Sequence, residues 1–180
     1  CMRDEYLAAA RASVGRSALP GGESWYALDI RANTTLALGA EEIHRTGLEQ
    51  VGLLHAEFEK TRARTGFAGT LPEFFEHLRT STRYLHPSAD AALAAYRDVK
   101  AAVTPKLPAL FGRIPEADYE VRPVEAFRAA SAAGGSYQRP DAAGTRPGVG
   151  YLNTHDLSRL PTYETMSLAR HEAAPGHHFQ

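Results

Sequence analysis

The sequence predicts a mainly α fold with a small antiparallel β-sheet, an α+β arrangement with a helical part at 1–115 and a shorter mixed part at 116–180. Three observations carry that expectation. Apolar residues recur at helical spacings through the first hundred residues, the pattern shifts to period two at Tyr119, and Gly- and Pro-rich stretches separate the short runs that follow. A chain of 180 residues is long enough for one domain with a core of its own.

Residues 2–14 are rich in Ala, Arg and Glu and predict a helix stopped by Gly15, after which Leu19-Pro20-Gly21-Gly22 reads as a turn. Trp25, Tyr26, Leu28 and Ile30 form an aromatic and aliphatic patch whose pattern assigns no element. The clearest helix covers about residues 39–64, because Ile43, Gly47, Val51, Leu54 and Phe58 recur at alternating spacings of four and three. Thr70-Leu71-Pro72-Glu73 has the form of a capping box with Pro in the first turn, so a short helix carries Phe74, Phe75 and Leu78. Ser88 is expected to cap another helix whose core face is Leu93, Tyr96, Val99 and Val103, with Pro105 and Pro108 interrupting the pattern beyond it.

Tyr119 and Val121 alternate with Glu120 and Arg122 in what reads as an edge strand, since Pro123 is tolerated there. Ser136-Tyr137-Gln138 and residues 149–153 are two further strand candidates, and a small antiparallel sheet or meander is their expected assembly. Pro161 is expected to open a last helix that delivers His171 and Glu172.

Composition narrows the function classes. Twenty basic against twenty-one acidic side chains leave a net charge of -1, so no positive excess is available to neutralise phosphates and nucleic acid is not an expected partner. No apolar run approaches the ~20 residues that span a bilayer. Cys1 is the one cysteine, which excludes an internal disulfide and a thiolate zinc cage. With no initiator Met before it, Cys1 is expected to mark where a longer chain was cut, and localisation stays open.

The chemistry concentrates in His171-Glu172-Ala173-Ala174-Pro175-Gly176-His177-His178-Phe179-Gln180, which holds three of the eight histidines and a glutamate. Neutral imidazoles are good zinc ligands, and a glutamate directly after the first ligand can move a proton from water to a leaving amine. The spacing departs from His-Glu-x-x-His, because Pro175 stands four residues after His171. On an unbroken helix His177 would point about 120° away from His171. Pro175-Gly176 supplies a break where the chain could turn back. On spacing alone two readings stand open: a metal site, or histidines that follow a helix C-terminus because its dipole favours them.

The segment resembles the bacterial DUF885 family, whose signature is an Asn-Thr-His-Asp-like strand end followed by a helix carrying His-Glu-Ala-x-Pro-Gly-His-His-x-Gln. Asn153-Thr154-His155-Asp156, Pro161-Thr162-Tyr163-Glu164, Phe111-Gly112-Arg113-Ile114-Pro115, and Thr34-Thr35 followed by Glu41-Glu42-Ile43-His44 are similar to family segments in the family's order. The resemblance implies part of a helical, gluzincin-like zinc metallopeptidase. By that resemblance His171 and His177 are metal ligands, with His178 the alternative, zinc is the cofactor and Glu172 is the general base. A third ligand is expected beyond Gln180, in a missing C-terminal part of the same chain, so this piece is expected to be inactive alone.

The substrate would be a peptide or small amide. The strand 149–153 is the candidate for pairing with its backbone, with Asn153, His155 and Tyr151 as substrate-binding residues. Alternatives from other classes are a non-catalytic helical binding module with a structural histidine segment, and a metal-dependent hydrolase of non-peptide amides. His44 and His55, eleven residues apart on one helix, cannot share an ion, and His77 and His86 fall near helix ends. Exposed apolar surface is expected around Leu168 and Phe179.

Overall fold

The computed structural model describes residues 1–141 and 143–180, which form two compact units, Cys1–Leu71 and Pro72–Gln180. The first strand of the sheet begins at Tyr119, inside the second unit.

In the first unit a π-helical turn at Met2–Tyr6 leads into α1 (Leu7–Ala9), and the chain is extended by Ala10. The helix expected over 2–14 is thus cut short. None of its residues is buried, and a short helix without a packed face is marginal in water. The aromatic patch lies in α2 (Gly22–Thr34). Gly22 is held so close to the preceding turn that a Cβ would overlap the Arg16 carbonyl, while the Arg16 guanidinium pairs with Asp29, two turns further along α2. The predicted long helix is α3 (Ala40–Arg64). Its apolar positions Ile43, Val51 and Leu54 lie at the surface. Arg62 does not present a bare cation: its Nη1 donates to the Phe67 and Gly69 carbonyls at 2.9 and 2.8 Å and closes the turn after α3.

Helix α4 (Leu71–Thr80) begins at the division between the units. In the second unit α5 (Ala89–Val103) is capped as predicted, the Ser88 hydroxyl accepting from the Ala91 amide at 3.1 Å. Its buried face is Ala92, Leu93, Tyr96, Val99 and Val103, and the two prolines shape the 3-10 turn Thr104–Ala109 that follows. Strands β1 (Tyr119–Pro123), β2 (Gly135–Gln138) and β3 (Gly148–Leu152) form one sheet, with α6 (Ala126–Ala129) between the first two and α7 (Thr165–Glu172) after the third. A 3-10 turn at Thr162–Glu164 precedes α7, so Pro161 opens the turn rather than the α-helix itself.

The sheet order is β1-β3-β2, and it is mixed, not antiparallel: β3 runs antiparallel to β2 and parallel to β1. The connection through α6 carries the chain across β3's position, so β1 and β2 flank β3 instead of pairing with each other. β1 is an edge strand, as its proline predicts. β3 is central, with Val149 and Leu152 almost wholly buried. Side chains alternate between faces along each strand. Tyr119, Tyr137 and Leu152 therefore share the face covered by α5 and α7, and Tyr151 stands on the opposite face, where the Arg128 guanidinium of α6 lies 4.9 Å from its ring centre. Leu168 and Phe179 are themselves half-buried against the core cluster, and the exposed apolar residues of this segment are Tyr163 and Met166. Among the described residues no helix is long and apolar enough to cross a membrane.

Candidate metal centre

The site is built at the C-terminal end of α7. Thr165 and Ala169 face the core, and Ala173 continues that stripe one turn on. Glu172, three residues after Ala169, consequently leans toward the sheet and keeps 16% of its side chain exposed, whereas His171 faces outward. After Ala173 the helix stops, the Ala174-Pro175 peptide is cis, and the chain folds back over the end of α7. The Gly176 amide donates to the Arg170 carbonyl and the His178 amide to the Ala173 carbonyl, each at 2.9 Å, satisfying acceptors that a helix end leaves open. Gly176 is required for this return, because a Cβ there would overlap the His171 carbonyl.

The return brings together what an ideal helix would separate. The His171 and His177 rings lie 5.0 Å apart, centre to centre, at 79°. Zinc–nitrogen bonds of about 2.0–2.1 Å put each imidazole centre about 3.2 Å from the ion, so two tetrahedral ligands stand about 5.2 Å apart. The pair has the spacing of two such ligands. His177 Nε2 is 3.9 Å from Glu172 Oε2, so the base candidate adjoins the ligand candidates. Among the described residues no group of three or more His, Cys, Asp or Glu side chains converges as a metal site.

Glu172 is positioned from below by a glycine. A Cβ on Gly135 would lie 2.8 Å from Glu172 Cγ and 3.4 Å from Oε1, so the bare backbone of β2 makes the room the carboxylate side chain occupies. On α5, burial pushes the Tyr96 phenol up, and the charges of Glu164 and Glu172 push it the same way.

His178 is placed elsewhere. Its Nδ1 shares a 2.5 Å hydrogen bond with the Tyr137 hydroxyl of β2, and its ring tilts against Tyr119 at 4.9 Å. Burial holds the imidazole below its ordinary pKa, against the opposing charge of Asp118. The neighbouring Tyr119 phenol is pushed up to about 12, chiefly by burial and then by Asp118 and Tyr137. His178 thus pins the returning segment to the sheet, and the ring turned toward His171 is His177.

The three substrate-binding candidates separate. Asn153 is buried, and its side-chain amide donates to the Ala129 and Ala132 carbonyls at 2.7 and 3.0 Å while Oδ1 accepts from the His155 amide at 3.1 Å. It clamps the end of β3 to the loop after α6. His155 is exposed and lines a pocket of mixed character with Ala129, Ala132, Gly134, Asn153, Asp156 and Arg159. Tyr151 points to the other face of the sheet from Glu172. The strand expected to pair with substrate, β3, has both edges occupied, because a strand buried along its length sits in the middle of the sheet.

The free edge beside Glu172 belongs to β2. The Asn153 amide donates to the Gly134 carbonyl at 2.9 Å, so with the observed register Ser136 and Gln138 face β3 with their main-chain groups. Gly135 and Tyr137 direct theirs to the outer edge. Residues 134 and 135 were overlooked in the sequence, although a glycine inside a strand signals a close approach by another group. Gln180 was overlooked as well: its Oε1 is 3.0 Å from His177 Nδ1.

Fold and site define a mainly helical protein with a small mixed sheet and a histidine-glutamate turn at the end of its last helix. The chain belongs to the family described as bacterial protein of unknown function (DUF885), which matches residues 1–180. It is similar to the putative lipoprotein from Colwellia psychrerythraea, whose crystal structure superimposes with a TM-score of 0.86 at 28% sequence identity. The similarity covers 97% of this chain and 31% of that one, so the chain spans about a third of that relative's length. No curated protein matches it.

Proposed function

We propose that the chain carries the zinc-binding turn and general base of a metal-dependent peptide hydrolase. The observation that supports this reading best is the approach of His171 and His177 to 5.0 Å with Glu172 3.9 Å from His177 Nε2. The two imidazoles would supply two of the three protein ligands of a catalytic zinc site, with the third from elsewhere in the complete protein. Zinc, when bound, makes water a nucleophile at neutral pH and polarises the carbonyl under attack. The Glu172 carboxylate accepts the proton of the attacking water and returns it to the leaving amine nitrogen. Gly135 and Tyr137 offer the β2 edge to the substrate backbone, whose main-chain hydrogen bonds tolerate any sequence. His155 would meet a substrate residue beyond Gly134, Asn153 would hold the loop that shapes that pocket, and Tyr151 of β3 borders a pocket that Glu172 also lines.

A second reading, a non-catalytic helical module with a structural histidine segment, is favoured by a specific observation. His178 is committed to Tyr137 and the sheet, and no third metal-ligating side chain joins His171 and His177 among the described residues. Zinc content and peptide hydrolysis of the complete gene product, measured beside its Glu172→Gln variant, separate the two. Stoichiometric zinc in both proteins, with hydrolysis lost in the variant, is expected; absence of zinc from both would leave the binding module.

A further inference from the structure

The turn that follows Gly176 contains a contact that neither metal ligation nor proton transfer requires. His177–Phe179 is a 3-10 turn capped by Gln180, and in that geometry side chains three residues apart eclipse one another. His177 and Gln180 are such a pair, and Gln180 Oε1 lies 3.0 Å from His177 Nδ1. An amide oxygen only accepts, so Nδ1 must donate. In the neutral imidazole the proton is then on Nδ1, and the lone pair is on Nε2, the nitrogen 3.9 Å from Glu172 Oε2.

We infer that Gln180 is a positioning residue: its amide oxygen fixes the tautomer and tilt of the His177 ring so that a basic Nε2 is presented beside Glu172. A hydrogen bond to the distal nitrogen of a ligating imidazole orients the ring and raises its basicity, and its removal typically weakens metal binding 10–100-fold. His171 makes no such bond among the described contacts, so the arrangement is particular to His177. The effect on metal affinity rests on the zinc reading of the site; the tautomer does not.

Two measurements on the complete protein test this separately. Imidazole nitrogen NMR on the metal-free protein at mildly alkaline pH is expected to show His177 protonated at Nδ1. Gln180→Leu should move it toward the Nε2-protonated form that an unconstrained imidazole favours, and Gln180→Glu, which also accepts, should restore the Nδ1 form. An Nε2-protonated His177 in the unaltered protein, or an Nδ1 form that survives Gln180→Leu, overturns the inference. Competition for zinc against a chelator should then show 10–100-fold weaker binding in Gln180→Leu, with Gln180→Glu near the unaltered protein. Equal affinity in all three also overturns the inference. Failure of the unaltered protein to bind zinc, with the tautomer as expected, overturns the hydrolase reading and supports the positioning role of Gln180.

Discussion

The α-carbon of Gly135 lies directly beneath the Glu172 side chain, so close that a single added methyl group would stand 2.8 Å from Glu172 Cγ. The contact couples the β2 edge to the carboxylate that the proposed chemistry uses. Gly135→Ala is expected to displace that carboxylate, and misplacing a reacting group by about 1 Å costs on the order of 100-fold in rate. Steady-state kinetics of the complete protein should show that loss in kcat, with zinc content unchanged.

Gly176 has no such flexible neighbour. A Cβ there meets the backbone carbonyls of Arg170 and His171, so Gly176→Ala is expected to break the return of the chain over α7. A loss of about 2 kcal/mol or more in denaturant unfolding is expected, as for other changes that force a backbone shift. Zinc binding should fall with it, because His177 leaves His171.

The Tyr137 hydroxyl anchors His178, and its removal leaves the His178 Nδ1 without that partner. Tyr137→Phe should cost about 0.5–1.5 kcal/mol, the net contribution of one hydrogen bond between half-buried groups. If His178 pins the turn rather than ligating, the zinc stoichiometry of this variant should stay as it is; atomic absorption decides.

The pH dependence of folding should carry the mark of His86. It is buried, its Nε2 lies 3.1 Å from the Thr165 hydroxyl, and burial lowers its pKa. A histidine lowered in the folded state binds its proton more readily when unfolded, so stability is full above the unfolded value of about 6.5 and declines as pH falls below it. Thermal unfolding followed from pH 8 to pH 5 should show that decline. His86→Gln keeps a partner for Thr165 and should flatten the profile.

How far these features are legible in the sequence differs from residue to residue. Local patterns were readable where one element decides them: the Ser88 cap, the α5 core face and the length of α3 follow from spacing and side-chain chemistry. The helix expected over 2–14 ends at Ala9, because propensity without burial does not sustain a longer one. The mixed sheet was hidden, since strand order depends on a crossover through α6 that no residue in β1 or β3 encodes locally. Pro175-Gly176 marks a break in the histidine segment, but that His177 rather than His178 turns toward His171 depends on the 3-10 turn and on the Tyr137 bond to His178. Gly135 matters through a contact with a residue 37 positions later, which a one-dimensional pattern does not show.

The central claim is that His171 and His177 hold one zinc ion beside Glu172. X-ray absorption at the zinc edge of the complete protein, repeated on His177→Ala and His178→Ala, tests it most directly. The account predicts two imidazole nitrogens in the zinc shell, one of them lost in His177→Ala and both retained in His178→Ala. A shell without imidazole, or one that changes with His178 and not with His177, would contradict it.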